Sequence, residues 1–372
     1  MTQPNKSRET LTNIQTIRFL AALWVFLLHF HGTPILPNNN NLLDSIIDMG
    51  FAGVDIFFVI SGYIMALTLK NVEPGFSSSW KFMSKRLTRI YSGWWPLFFC
   101  YLLLYSKFQL TPPDVHLLGS FFLAPLYLQQ YLVSVTWTLS FELYFYACLA
   151  ALLIFTRKFI VFALLLAAAT IMIYGVFSYS QGIYTPQGVV NANRLQNFYA
   201  YVLILEFIAG YSIAHIRRFN DKSLIIGSAI GFLILISCAY VYQNNGNLYP
   251  SGLAGFYHAP ERVFLIGGAA CCLIFFADQI EQRGITSAPW LQDLGNASYA
   301  LYLIHIFAIN VINMIAPTIL SMVPSKAHFS LPPLFILIII VSSTLFHRYI
   351  ELPINRSLLI LFAHPRGKPR TL

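Results

Sequence analysis

The sequence predicts an all-α membrane protein, a polytopic bundle of about ten transmembrane helices. Of its 372 residues, 57% are hydrophobic and only 10% are charged, whereas a soluble domain carries about 25% charged residues. The mean hydropathy is +0.65. With so few charges the apolar surface cannot all be hidden in one globular core, so we expect lipid to be the solvent for most of the chain.

Ten segments are apolar and long enough to cross a bilayer, which takes about 20 residues. They are 14–33, 47–70, 91–108, 133–155, 159–179, 197–216, 223–242, 262–278, 296–318 and 331–352. No small-residue cleavage site follows the first segment in the sequence, so we interpret this segment as a membrane helix and not as a removed signal peptide. The short apolar stretch 117–128 contains a proline and is interpreted as an interfacial or re-entrant piece.

The charge distribution predicts the orientation. If the N-terminus is cytoplasmic, 19 of the 23 Lys and Arg residues fall on the inner side, and only Lys107, Arg194, Arg262 and Lys326 fall outside. This bias is typical of ten crossings with both termini in the cytoplasm. The formal charge of +9 is therefore attributed to membrane orientation, and no nucleic-acid partner is expected. The five cysteines lie in apolar segments without metal-ligand spacing, so no metal is expected.

Polar residues in the first apolar segment are the strongest candidates for function. Arg18 and His29 are eleven residues apart, about three helical turns and ~16 Å, so both side chains share one helix face. The topology places Arg18 near the cytoplasm and His29 near the outer surface. Intramembrane ionisable residues are costly and often functional. The alternative is that Arg18 snorkels to lipid phosphates and that a backbone group satisfies His29.

Two acidic residues are expected at a similar depth on the outer side. Asp55 lies about two turns and Glu142 about one to two turns below that surface. Glu142 and His29 could therefore meet, although the sequence does not show that they do. A carboxylate beside an imidazole fixes its tautomer and supports a general base.

A basic cluster lies between the second and third segments, in SWKFMSKRLTRIYSGWW. A helix would present Lys85, Arg86 and Arg89 together, because they are spaced three and four residues apart. The cluster is either a positive-inside anchor to anionic lipids or a phosphate site for a cytoplasmic anionic donor, and charge alone does not decide between the two. Near the last segment, Glu351 is expected to form a local ion pair with Arg348.

Six short motifs then suggest a family. RFLAALWVFLLH, GVDIFFVISGY, KRLTRIY, TWTLSFELYFY, SYALYLIH and ELP occur in this order between about 14 and 356. The series resembles the acyltransferase-3 family of bacterial integral-membrane acyltransferases. Where the family has proline in RIYP this chain has Ser92, and its SGF is SGY here at Tyr63. Many relatives carry an additional SGNH esterase-like domain, and we expect none after residue 372.

The resemblance implies a single transmembrane acyltransferase domain over 1–356, with a short basic cytoplasmic tail over 357–372. It implies an enzyme of the bacterial inner membrane that transfers an acyl group, expected to be acetyl, from cytoplasmic acyl-CoA to a hydroxyl of a surface polysaccharide or its lipid-linked precursor. The partners are then acyl-CoA, the carbohydrate acceptor and membrane lipids. The identity of the glycan, the choice between acetyl and succinyl, the formation of an acyl-enzyme and the oligomeric state stay open.

The resemblance also assigns roles to residues of this sequence. His29 is the expected general base, with Glu142, or alternatively Asp55, orienting it. Arg86, Arg89 and Arg18 are the expected ligands of the CoA phosphates, and the predicted substrate-binding or supporting residues are Ser61, Trp137, Tyr146 and His305. Two other functions stay open at this point. A proton-coupled transporter would use the same buried His and carboxylates, and a scaffold of a polysaccharide assembly complex would use none of them.

Overall fold

The computed structural model describes residues 11–39, 41–108, 114–181, 184–185, 188–189, 203–217, 221–244 and 260–362. Fourteen α-helices are named here in chain order. They are α1 Thr12–Phe30, α2 Leu42–Asp48, α3 Ala52–Leu69, α4 Phe76–Phe108, α5 Leu117–Phe121, α6 Trp137–Phe155, α7 Ile160–Ser180, α8 Ile204–Ile216, α9 Lys222–Asn244, α10 Gly268–Gln282, α11 Pro289–Asn296, α12 Ser298–Met322, α13 Leu331–Phe346 and α14 Leu352–Phe362.

Shorter elements lie between these helices. Four are 3-10 helical turns: Met49–Phe51, Leu128–Gln130, Ser134–Thr136 and Ser325–Ser330. A helical turn Pro260–Arg262 and a π-helical turn Val263–Gly267 lead into α10, and a second π-helical turn, His347–Glu351, joins α13 to α14. Strands β1 Tyr184–Thr185 and β2 Gly188–Val189 form a small antiparallel hairpin. The predicted tail starts at residue 357, which lies within α14, and residues 363–372 fall outside the described part.

The all-α membrane architecture is confirmed. Each of the ten predicted segments coincides with a described helix, and eight described helical stretches are long and apolar enough to cross a membrane. The other two differ from expectation in length: α4 is a 33-residue helix that starts well before the predicted 91–108, and only 13 residues of the predicted 197–216 are described, as α8. The apolar windows of α7 and α9 are only 11% and 17% buried, which is the exposure expected of lipid-facing helices.

The chain divides into two compact units. Unit 1 consists of Met1–Leu67, Ala168–Asn191 and Ala200–Ser298, and unit 2 consists of Thr68–Ala167, Ala192–Tyr199 and Tyr299–Leu372. Each unit contains part of the predicted site.

In unit 1, the carboxylate of Glu281 at the end of α10 fixes the start of α1. Its two oxygens accept hydrogen bonds from the backbone N–H groups of Thr12 and Asn13, at 2.7 and 2.8 Å. Backbone N–H groups in the first turn of a helix have no partner within the helix, so a carboxylate there is stabilising. Further along α1, a core of buried apolar side chains from α1, α3 and α10 includes Ile14, Val59 and Ile274. These contacts hold the helix that carries His29.

In unit 2, α4 packs antiparallel against α6. The N–H of Gly75 donates to the carbonyl oxygen of Leu153 at 3.0 Å. The hydroxyl of Ser79 donates to the carbonyl oxygen of Ala150 at 2.6 Å. The basic cluster is therefore part of a long packed helix and not of a loop. Ser92, where the family has proline, lies within this helix, and its hydroxyl donates to the Arg89 carbonyl oxygen at 3.2 Å.

Candidate functional site

His29 lies in the last turn of α1 with an exposed side chain. Its Nδ1 is 2.8 Å from the carbonyl oxygen of Val25, one turn earlier. Because a carbonyl oxygen can only accept a hydrogen bond, Nδ1 carries the proton in this contact. The neutral ring therefore has Nε2 as its basic nitrogen. The backbone of α1 itself thus selects the tautomer that a general base requires.

Arg18 lies about 1.7 turns into the same uninterrupted helix, so the predicted common face with His29 follows from the fold. Its Nη1 donates to Oε1 of Gln15 at 3.2 Å, and the side chain is partly exposed. Its proposed role as a phosphate ligand stays a prediction.

Asp55 forms a buried ion pair with Arg262. The Arg262 Nε donates to Oδ1 at 2.7 Å and Nη2 donates to Oδ2 at 2.6 Å, while the guanidinium lies over the ring of Phe51 at 5.2 Å. Both charged side chains are almost completely inaccessible. The charge distribution placed Arg262 among the outer positive charges, and its pairing with Asp55 was not predicted. The signal was available, because a carboxylate within an apolar helix needs a cationic partner at the same depth.

Glu206 on α8 joins this cluster and was given no role by sequence reasoning. It is fully buried, close enough to Asp55 and Arg262 to interact electrostatically, and its side chain lies against Gly267 in the first π turn. Neither of its carboxyl oxygens has a hydrogen-bond partner among the described residues.

Arg86 in unit 2 is enclosed by aromatic rings. Its guanidinium lies over Phe82 and over Tyr146, at 5.6 Å from each ring centroid, and Nη2 donates to the hydroxyl of Thr68 at 3.2 Å. Its Nε is buried and has no hydrogen-bond partner among the described residues. A buried N–H without an acceptor is rare in proteins, so this donor calls for an explanation.

Glu142 lies close to Arg86, not on the far side of the membrane from it. The hydroxyl of Tyr146 donates to Oε1 of Glu142 at 3.0 Å, and the ring of that tyrosine carries Arg86. The expected separation, with Arg86 at the inner face and Glu142 near the outer face, is therefore wrong. The physical reason is the antiparallel packing of α4 and α6, which puts the eleventh residue of one helix level with the sixth of the other.

Arg89 reaches a different carboxylate. Its Nη1 donates to Oε1 of Glu351 at 2.8 Å, and its guanidinium lies 5.5 Å from the ring centroid of Tyr299. The other oxygen of Glu351 accepts from Nδ1 of His347 at 2.7 Å. The expected local pair of Glu351 with Arg348 is thus wrong, since both carboxylate oxygens serve other partners. The two arginines of the motif are close in sequence but each is held by its own set of side chains.

The supporting residues are scattered through both units. Ser61 is half-buried on α3, and Trp137 starts α6 with its ring against Phe141 at 5.6 Å. His305 is completely buried on α12, with its ring 5.6 Å from that of Tyr302. Only Tyr146 is brought into the cluster around Arg86. The roles of Ser61, Trp137 and His305 in substrate binding, and the predicted contact of Glu142 with His29, stay predictions.

Comparison with known proteins gives these residues a context. Residues 11–347 match the sequence profile of the acyltransferase-3 family, described as an acyltransferase domain. The chain is 31% identical over 281 residues to the "Exopolysaccharide production protein ExoZ" of Rhizobium meliloti (strain 1021), covering 71% of this chain and 78% of that protein. No solved structure shows a significant match. The family profile covers most of the chain, and the motifs that it spans carry His29, Arg86, Arg89 and Glu142. The chain therefore belongs to the acyltransferase-3 family and is a membrane acyltransferase.

Proposed function

We propose that this protein is an O-acyltransferase of the bacterial inner membrane that uses cytoplasmic acyl-CoA, with acetyl as the expected acyl group. The acceptor is a hydroxyl of a cell-surface carbohydrate, either an O-antigen, a capsule, an exopolysaccharide or a lipid-linked precursor of one of these. Family membership supports the reaction class. The similarity to a protein named for exopolysaccharide production supports a carbohydrate acceptor.

The chemistry centres on His29. Its Nε2 takes the proton of the acceptor hydroxyl while the oxygen attacks the thioester carbonyl carbon. The new C–O bond forms, the C–S bond breaks, and the departing CoA thiolate takes the proton from the imidazolium, so that the products are an ester and free CoA. A positioned general base of this kind contributes about 10²–10⁴-fold to a rate.

The contact between His29 Nδ1 and the Val25 carbonyl oxygen is the observation that carries this proposal. It keeps the proton on Nδ1 and directs the basic lone pair of Nε2 away from the helix backbone. The residue is also exposed at the end of α1. The Val25 carbonyl oxygen thus fixes the tautomer of His29, a role that was expected of a carboxylate. Stabilising the imidazolium stays the proposed task of Glu142, or alternatively of Asp55, although Glu142 accepts a hydrogen bond from Tyr146 and Asp55 is paired with Arg262.

Arg86 and Arg89 are proposed to bind phosphate oxygens of the donor, together with Arg18. The buried Nε of Arg86 supports this role because it lacks an acceptor among the described residues. The side chain of Arg89 is 29% exposed, so part of its guanidinium can still be reached. Arginine suits the task because its planar fork of donors matches phosphate oxygens.

The test is acyl transfer by His29→Ala, with the amount of membrane-inserted protein measured in parallel. Mass spectrometry of surface glycans should show loss of the acyl group, and purified protein should no longer release free CoA from acyl-CoA in the presence of acceptor. Retained acylation in a well-expressed variant would contradict the role of His29. A wild-type protein that moves protons or solute but releases no CoA would support a transporter instead.

A further inference from the structure

The carboxylate of Glu351 links the side chain of Arg89 on α4 to that of His347 in the second π turn. It is completely buried, and each of its oxygens is used: Oε1 by Nη1 of Arg89 at 2.8 Å and Oε2 by Nδ1 of His347 at 2.7 Å. The carboxylate can only accept, so the Nδ1 of His347 carries the proton that it donates. A buried carboxylate is stable only with such partners.

The π-helical turn His347–Glu351 presents this pair to α4. Both side chains belong to the same five-residue turn, and the turn packs directly against α4 near Arg89. Isolated π turns within α-helices are rare and occur frequently at functional sites. The turn therefore places a paired imidazole and carboxylate where α4 carries the second arginine of its basic motif.

Arg89 is held from two directions but not enclosed. Glu351 fixes its Nη1, and the ring of Tyr299 lies 5.5 Å from the guanidinium carbon. That ring is itself fixed, because the Tyr299 hydroxyl donates to the carbonyl oxygen of Ile90 at 2.7 Å. The remaining exposure of the Arg89 side chain leaves part of the fork accessible. An arginine whose geometry is set before its ligand arrives loses less conformational freedom on binding.

We propose that His347 and Glu351 are positioning residues that hold Arg89 in the orientation needed to bind a phosphate of the acyl-CoA donor. His347 orients the carboxylate, the carboxylate holds Nη1, and the accessible part of the guanidinium meets the phosphate. The inference rests on the proposed function, because it takes Arg89 to be a donor ligand. It concerns binding of the donor and predicts little change in the chemical step.

Full-length protein in lipid nanodiscs tests the inference through KM and kcat for acetyl-CoA. The amide nitrogen of asparagine can replace the Nδ1 donor, so His347→Asn should keep KM within about 2-fold, while His347→Leu should raise it about 3- to 10-fold with little change in kcat. In an Arg89→Ala background, His347→Leu should raise KM by less than about a further 1.5-fold, since the effects of residues that act as a unit are not additive.

Glu351→Gln provides a second variant should His347→Leu not fold. The carboxamide has one acceptor oxygen, so it can satisfy only one of the two donors, and KM should again rise only where Arg89 is present. Equal effects of Glu351→Gln or His347→Leu with and without Arg89 would overturn the inference, as would a His347→Asn variant as impaired as His347→Leu.

Equilibrium binding of CoA separates this inference from the proposed function. A wild-type protein that binds CoA but transfers no acyl group contradicts the proposed function. The effects of the His347 and Glu351 variants, with and without Arg89→Ala, can then be measured through the Kd for CoA. Unchanged CoA binding by Arg89→Ala overturns the positioning inference, whether or not the protein is an acyltransferase.

Discussion

Asp55 and Arg262 are 207 residues apart in sequence, and the Arg262 guanidinium donates to both oxygens of the Asp55 carboxylate in the interior of unit 1. Removing one partner would leave the other charge buried and uncompensated, which costs about 3–5 kcal/mol. We therefore expect Asp55→Ala and Arg262→Ala each to lower the thermal unfolding midpoint of the purified protein strongly. Fluorescence-monitored unfolding in detergent provides the measurement.

The double variant Asp55→Leu with Arg262→Leu is the control for this pair. It removes both charges together, so it should be clearly more stable than either alanine variant, because no lone charge stays buried. Single variants as stable as the wild type would show that the pair is not buried in the folded protein.

Gly62 on α3 and Gly210 on α8 allow these two helices of unit 1 to approach very closely. A Cβ atom at Gly62 would collide with the carbonyl oxygen of Phe207, and one at Gly210 with that of Val59. Since backbone atoms cannot move aside cheaply, Gly62→Ala and Gly210→Ala should each destabilise the protein by about 1–3 kcal/mol or more.

Gly227 on α9 supplies the matched control. No atom lies within 4 Å of a Cβ at this position, so Gly227→Ala should be neutral or stabilise the helix by up to about 1 kcal/mol. Unfolding midpoints of all three variants can be compared directly. A similar midpoint for Gly62→Ala and Gly227→Ala would contradict the close packing of α3 and α8.

His29 and His215 make the same local contact in different places. Nδ1 of His215 is 3.0 Å from the carbonyl oxygen of Tyr211, one turn earlier on α8, as Nδ1 of His29 is from that of Val25. If His29 is the general base, His29→Gln should lower kcat by about 10²–10⁴-fold, while His215→Gln should leave kcat nearly unchanged. Equal effects would assign both histidines to structure. Steady-state release of CoA from acetyl-CoA is the measurement.

Arg86 should not be replaceable by lysine. An ammonium group lacks both the planar fork that lies over Phe82 and Tyr146 and the Nε donor. We expect Arg86→Lys to raise the KM for acetyl-CoA about 10-fold, comparable to the loss of about 1.5 kcal/mol for a charge-assisted hydrogen bond. Lys81→Ala, at an exposed position of the same helix, should change KM by less than about 2-fold if the effect is specific. A wild-type KM in Arg86→Lys would show that only the positive charge of Arg86 is needed.

The apolar segments predicted the architecture well, because the length of hydrocarbon to be crossed constrains the sequence directly. They also predicted α1 and the shared face of Arg18 and His29, since a continuous helix fixes the spacing of its side chains. The all-α class and the positions of most helices therefore follow from such local rules.

Depth was the quantity that local rules could not supply. Glu142 and Arg86 were placed by counting residues from the ends of apolar segments, as if each helix ended at the membrane surface. The 33 residues of α4 form a helix of about 50 Å, well beyond the ~30 Å hydrocarbon thickness. The position of α4 along α6 depends on contacts between the two helices, such as that of Ser79 with Ala150. The sequence of one segment alone does not determine such contacts.

Partner choice was the second unpredicted quantity. Sequence proximity suggested Arg348 for Glu351 and left Asp55 without a partner, whereas the actual partners are Arg89 and Arg262. Salt bridges between distant segments depend on which helices are neighbours, and this is decided by packing over the whole unit.

The two π turns, Val263–Gly267 and His347–Glu351, have a consequence for how this chain tolerates insertions and deletions. Arg262 directly precedes the first turn and Glu351 ends the second, so each turn adjoins a buried ion pair. A π turn holds about one residue more than the α-helical turn that it replaces. Deleting one residue there would convert the turn to α-helix and rotate the charged side chain by about 100° away from its partner. These two short stretches should therefore keep their length among related chains even where their apolar side chains vary.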